Sequence, residues 1–159
     1  MPSGVVSQVE LPAEAAALAT LSRVDYTDAF RADVSSLPPH SGEEWAREII
    51  EGAPASVRKG LRQGWTALGL KLAPTGADGC VLGWRIRHSD AGYALLGMDS
   101  RIGMPAELLL RPDGGSLLFA TFVRQDNILA RAVWTGIGPR HRRIVPRLIA
   151  AAVARQAGR

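Results

Sequence analysis

The stretch CVLGWRIRHSDAGYALLGMDSRIGMPAELLLRPDGGSLLFATFVRQ, residues 80–125, decides the fold. Apolar residues recur through it with a period of two, the repeat of a strand with one face buried. Turn signals divide it into four strands, Cys80–His88, Tyr93–Met98, Met104–Arg111 and Ser116–Gln125. The links are Ser89-Asp90-Ala91-Gly92, a loop around Gly103, and Pro112-Asp113-Gly114-Gly115. Each is short, polar and glycine-bearing, which suits antiparallel hairpins rather than parallel crossovers. A four-residue loop at Ser89–Gly92 puts His88 opposite Tyr93, Ile86 opposite Leu95 and Trp84 opposite Gly97. Leu82, Trp84, Ile86, His88, Tyr93 and Leu95 then share one face, with Arg85 and Arg87 on the other. The Pro112–Gly115 loop sets Leu110 opposite Leu117 and Leu108 opposite Phe119. Met104, Ala106, Thr121 and Val123 join that face, and Glu107, Arg111 and Ser116 lie behind it. One side of the meander is apolar, so a helix must cover it.

The flanking segments supply the cover. Val5–Leu11 alternates and is valine-rich, a short strand. Pro12 suits a first helical position and Ala13–Leu21 is alanine-rich, so a helix follows. Val24–Val34 reads as extended, and Ser35–His40 as a loop. Ser41 or Gly42 can cap the next helix, since Glu44 lies three residues after Ser41 at capping-box spacing, and Trp45 and Ile49 give that helix one buried stripe, with Glu44, Glu48 and Glu51 outside. Pro54 opens another helix, on which Val57, Leu61, Trp65 and Leu68 recur at helical spacing. After the sheet come Ile128–Trp134, a break at Gly136-Ile137-Gly138-Pro139, and a helix over Arg140–Gln156. Ile144, Val145, Leu148 and Ala152 form its apolar stripe, and Pro146 implies a bend near Arg142 or a new helical start. The expectation is one α+β domain over residues 1–159, an antiparallel sheet with two or three short helices before it and a covering helix after it.

Composition sets outer bounds. A chain of 159 residues, 47% apolar and 21% charged, buries about 70% of its unfolded surface on folding. Ten prolines and 17 glycines are too few and too scattered for a disordered or collagen-like chain. The single cysteine, Cys80, excludes an internal disulfide and a cysteine zinc site, and reads as a small buried hydrophobe. Leu148–Ala154 is far short of the roughly 20 apolar residues of a membrane span. Met1-Pro2-Ser3-Gly4 does not open like a signal peptide. The expected location is therefore the cytoplasm. Residues 1–78 hold 7 basic and 10 acidic side chains, net −3, and residues 79–159 hold 12 and 5, net +7, giving the overall +4. Arg140, Arg142, Arg143, Arg147, Arg155 and Arg159 follow Pro139 with no acid among them. They read either as a surface for a partner protein or anionic membrane, or as a solvated helix face favoured by the helix dipole. No interleaved aromatics mark a nucleic-acid site.

Few residues carry obvious chemistry. Of the three histidines, His40 lies in a proline loop. His141 opens the last helix, where bonding a carbonyl to fix the loop is its expected role. His88, next to Tyr93 on the apolar face, is the candidate base or ligand anchor, with a satisfied strand-end histidine as the alternative. His88-Ser89-Asp90 has triad residue types without triad geometry, since adjacent strand residues face opposite ways. Gly136-x-Gly138 lacks the strand and third glycine of a nucleotide fingerprint, so no cofactor is expected. Glu43, Glu44, Glu48 and Glu51 without histidines read as a solvated face, so no metal is expected.

A resemblance begins at Asn127-Ile-Leu-Ala-Arg-Ala-Val-Trp134 followed by Gly138-Pro139-Arg140-His141-Arg142. These segments resemble the bacterial domain of unknown function 2867 family, whose tail carries glycine–x–x–tyrosine–tryptophan and then proline–phenylalanine–histidine. Trp134, Pro139 and His141 match, while Val133 and Arg140 stand in place of the tyrosine and phenylalanine. Asp25-Tyr26-Thr27-Asp28-Ala29-Phe30 is similar to the family's early segment. That family is similar to the START and polyketide cyclase/dehydrase (SRPBCC) superfamily. The resemblance implies a helix-grip fold, a curved antiparallel sheet wrapped around a long C-terminal helix, with an apolar ligand between them.

The expected function is binding of an apolar, lipid- or polyketide-like molecule. Trp65, Trp84, Ile86, His88, Tyr93, Met104, Leu108, Phe119, Trp134 and Leu148 are the candidate lining, with His88 or Tyr93 orienting one polar group. Met98 and Met104 would adapt to different ligands. Two alternatives remain: a cyclase or dehydratase using the same cavity with His88 as base, and an interaction module acting through Arg140, Arg142, Arg143 and Arg147.

Overall fold

A computed structural model describes residues 5–159. In chain order it holds β1 (Val6–Gln8), α1 (Ala13–Ala16), β2 (Tyr26–Asp33), α2 (Gly42–Ala46) running into a π-helical turn (Arg47–Glu51), and α3 (Ala55–Ala67). There follow β3 (Cys80–Val81), β4 (Trp84–Ser89), β5 (Ala94–Met98), β6 (Ala106–Asp113), β7 (Ser116–Val123) and α4 (Ile128–Ala157). The seven strands make one open antiparallel sheet in the order β1-β2-β7-β6-β5-β4-β3. The class is α+β, as the sequence implies.

The expected first strand, Cys80–His88, is in fact a hairpin. Leu82 at φ 46° and Gly83 at φ 96° turn the chain left-handedly between β3 and β4, a conformation for which glycine pays no Cβ penalty. The next turn departs from the expected register. Ser89 pairs with Ala94 and His88 with Leu95, and the ladder then shifts by a bulge so that Ile86 pairs with Leu96 and Arg85 with Gly97. The extra residue of a bulge reverses the faces beyond it. Trp84 and Ile86 therefore point inward, while His88, Leu95 and Tyr93 lie outward. Gly97 does yield room to a cross-strand side chain, but the guest is Arg87 rather than Trp84. At the β6–β7 turn only Gly114-Gly115, both at positive φ, connect the strands. Leu110 thus faces Phe119 and Leu108 faces Thr121. This is a slip of two residues from the expected pairing, which preserves both faces.

Both faces are buried. The helix expected over Ala13–Leu21 forms only at Ala13–Ala16. The rest of its segment lies on the outer face, where Leu11, Leu18 and Leu21 pack against Leu95, Leu109, Leu118 and Phe122. Glu107 has no exposure on that face. It accepts from Thr20 N at 2.7 Å, Leu21 N at 3.3 Å, the Thr20 hydroxyl, and Arg87 at 2.9 Å. A buried carboxylate with this many donors is satisfied, and it fastens the segment to the sheet.

The inner face is covered by α2, its π turn and α4. Ser41 caps α2 with the expected capping box to Glu44. A Cβ on Gly42 would stand 2.5 Å from Leu110 O and 2.6 Å from Ala94 N, so only glycine lets α2 begin this close to β5 and β6. The expected break at Gly136–Pro139 is absent, for α4 runs unbroken over 30 residues with Pro139 and Pro146 inside it. Each proline removes one helical hydrogen bond. The helix is held instead by side chains buried along its length, from Ala130 and Trp134 to Val145, Ile149, Ala152 and Val153. Its far end is fixed by Arg155, which bonds Glu48 Oε1 at 3.0 Å and the Glu48 carbonyl at 2.6 Å on the π turn. Among the described residues no helix is long and apolar enough to cross a membrane.

Candidate functional site

Between the inner face, α3 and α4 lies a cavity of about 320 Å3. Its floor is formed by Met104, Ala106 and Leu108 of β6 and its approach, with Phe119, Thr121 and Val123 of β7 and Trp84 of β4. One wall is α4, contributing Trp134, Ile137, Ile144, Val145 and Leu148. The roof is α3 with its C-cap, where Leu61, Trp65 and the capping Leu68 sit beside Gly60 and Gly64. No residue of α3 is buried. Arg58 and Arg62 hold this helix by bonding carbonyls of Glu51, Ala53, Ala73 and Leu82, and Trp65 meets Trp84 edge-on at 5.6 Å between centroids. Such a roof is moored at its rim over space that its own side chains leave open. The volume falls at the small end of ligand cavities, about 300–1,000 Å3.

Polarity is confined to one end. Asp28 of β2 and Thr121 of β7 are cross-strand partners. The inward repeat of β2 places Asp28 between Tyr26 and Phe30, so a carboxylate occupies a core position. Its side chain is 1% exposed. Asp28 Oδ2 accepts from Tyr26 Oη at 2.7 Å and lies 3.3 Å from His141 Nε2. The same ring nitrogen is 3.1 Å from Thr121 Oγ1. Arg142 donates to Tyr26 Oη at 3.1 Å, completing a chain from guanidinium through phenol to carboxylate. Trp134 holds the cluster in place, its ring 4.8 Å from Tyr26 and 5.2 Å from His141. Burial pushes the Tyr26 phenol up to about 12; the Arg142 hydrogen bond opposes this and Asp28 adds to it. Tyr26 is therefore a neutral donor near neutral pH.

Nε2 of His141 faces both Thr121 and Asp28, and with a proton on that nitrogen the ring would donate to them and leave Nδ1 to accept. Nδ1 has no protein partner among the described residues. Asp28 Oδ1 is buried with no protein partner among the described residues, as are the indole nitrogens of Trp84 and Trp134.

Seven of the ten expected lining residues meet at the cavity: Trp65, Trp84, Met104, Leu108, Phe119, Trp134 and Leu148. Ile86 belongs to the inner cluster without lining the cavity. His88 and Tyr93 are on the opposite face of the sheet, which corrects the register that placed them inside. Their rings stack at 4.1 Å, and His88 Nε2 is 2.7 Å from Asp90 Oδ2. Three bonds, from the Tyr93 and Gly92 backbone and His88, hold the exposed Asp90 carboxyl below its usual range, as expected of a structured turn. His141, expected to fix a loop, is instead the cavity's histidine. An acid at an inward strand position was the one available signal for it. Of the arginines, Arg140 lines the cavity, Arg142 serves Tyr26, Arg155 and Arg159 pair with Glu48, and Arg143 and Arg147 are exposed. Cys80 is buried and its carbonyl accepts from Arg47. Among the described residues no cluster of three or more potential metal ligands occurs.

Comparison of the chain with protein-family models, with curated proteins and with solved structures finds no match in any of the three.

Proposed function

We propose that this is a helix-grip protein that binds a small, largely apolar molecule between its sheet and α4. The observation carrying this reading is the cavity itself, about 320 Å3 of space walled by aliphatic and aromatic side chains with polar groups at one end only. Apolar burial at about 25 cal/mol per Å2 supplies the affinity, and His141 with Thr121 orients one polar substituent. The antiparallel sheet laid against a long terminal helix agrees with the helix-grip arrangement that the tail resemblance implies. Arg140 is the only arginine or lysine on the cavity wall, and no aspartate or glutamate lines it. The ligand's polar end is therefore neutral or anionic rather than cationic.

The test uses an uncharged, environment-sensitive naphthalene dye, followed by its own emission and by quenching of the three lining tryptophans. Saturable one-site binding with a blue shift is expected. Ile144→Trp, which fills the cavity from α4, and Leu108→Phe, which fills it from β6, should each weaken binding by about tenfold or more. Binding indifferent to both substitutions would overturn the proposal.

A further inference from the structure

The polar end of the cavity has more machinery than binding requires. A ligand's single polar group could be held by Thr121 alone. Instead a nearly inaccessible carboxylate is fixed by a tyrosine, which is itself fixed by an arginine, and the carboxylate's bonding oxygen is directed at one nitrogen of a histidine. An acid beside one ring nitrogen holds a proton on that nitrogen and leaves the other to accept one. Next to His141 along the wall stands Arg140, which makes no ion pair among the described residues. A base and an unpaired cation thus border one apolar cavity.

We infer that His141, positioned by Asp28, is a proton-abstracting base acting on the molecule the cavity holds, and that the substrate is an apolar compound with a C–H bond between a carbonyl and a carbon–carbon double bond. This inference rests on the cavity reading above. In the step, the C–H bond breaks and its proton passes to His141 Nδ1. The electron pair forms a carbon–carbon double bond and leaves the carbonyl oxygen as an enolate, whose charge Arg140 offsets. Return of the same proton at a conjugated carbon gives an isomer and restores the neutral imidazole. No oxidant, reductant or co-reactant is needed. Arg140 is itself exposed, so it offsets that charge from the solvent side of an otherwise apolar wall. Asp28 does not reach the cavity and is a positioning residue.

The full chain is assayed with 5-nitrobenzisoxazole, a compact apolar probe of base strength. Base removes its ring C–H proton, the electron pair forms a nitrile, and the N–O bond breaks to release a coloured phenolate. Saturable turnover is expected. His141→Ala and His141→Gln should lose it by at least about tenfold, within the range for one general base, and free imidazole should partly rescue the alanine variant. Asp28→Asn should lower kcat several-fold with KM unchanged, a split that a purely structural role would not produce. Dye binding is measured on the same samples. Variants that bind the dye yet turn over like the wild type overturn the base assignment and leave the binding reading standing. A wild type that binds neither dye nor probe overturns both.

Discussion

Glu107 and Asp28 are both buried acids on the sheet, and their surroundings set them apart. Glu107 is bonded at both oxygens by two backbone amides, a hydroxyl and Arg87, on the face of the sheet away from the cavity. It is a fastener for the segment after α1. Glu107→Gln replaces an acceptor with a donor facing amide donors, so a loss of about 2–3 kcal/mol is expected. Urea unfolding measures it, and dye binding should be unchanged. A loss under about 0.5 kcal/mol would mean the fastening does not matter. Asp28 leaves Oδ1 unpartnered and spends Oδ2 on Tyr26 and His141. Its Tyr26 partner provides a handle on alkaline pH. The folded protein holds the phenol's proton up to about pH 12, whereas the unfolded chain releases it near pH 10. The native state thus binds more protons between those values, and stability falls as pH rises through that window. Phenolate absorbance should show one of the two tyrosines ionising late, and Tyr26→Phe should remove that late step. A wild type in which both phenols ionise together near pH 10 would contradict the burial of this phenol.

At the scale of elements, α3 is the loosest part of the inner layer. It has no buried residue, and its moorings are arginine-to-carbonyl bonds from its first turn and its middle together with the Trp65–Trp84 contact. A Cβ at Gly60 or Gly64 would meet nothing within 4 Å. These glycines face space, so they give up helix stability with no close contact in return. Gly64→Ala is therefore expected to stabilise the protein by up to about 1 kcal/mol, read as a higher Tm, while narrowing the mouth and slowing dye association. Destabilisation would show that the helix is seated against something closer than this geometry allows. The opposite element is α4, whose two internal prolines are tolerated because its buried residues and the Arg155–Glu48 bonds hold both halves in line. Local rules alone break this helix at Gly136–Pro139. Tertiary packing overrides them.

For the molecule as a whole, the inward face was legible because period-two alternation assigns Met104, Ala106, Leu108, Phe119 and Val123 to one side whatever the slip of register, provided the slip is even. The outward face was misread. Glu107 and Arg111 suggested solvent, yet Leu108-Leu109-Leu110 and Leu117-Leu118-Phe119-Ala120 are continuous apolar runs, the mark of strands buried on both sides. The His88 site failed for a different reason. A single bulged residue between Ile86 and His88 reverses the face, and nothing in WRIRHS announces it. The cavity's histidine was hidden behind an expected helix break and became visible only when β2, β7 and α4 met. Within this architecture the central claim is that the space between sheet and helix exists to be occupied. Native mass spectrometry of gently purified protein, bare and with the naphthalene dye, tests it most directly. The expected result is a stoichiometric added mass on the wild type that is released on denaturation and is absent from Ile144→Trp. A bare chain mass for both proteins, even at saturating dye, would mean the cavity holds nothing and would contradict the claim.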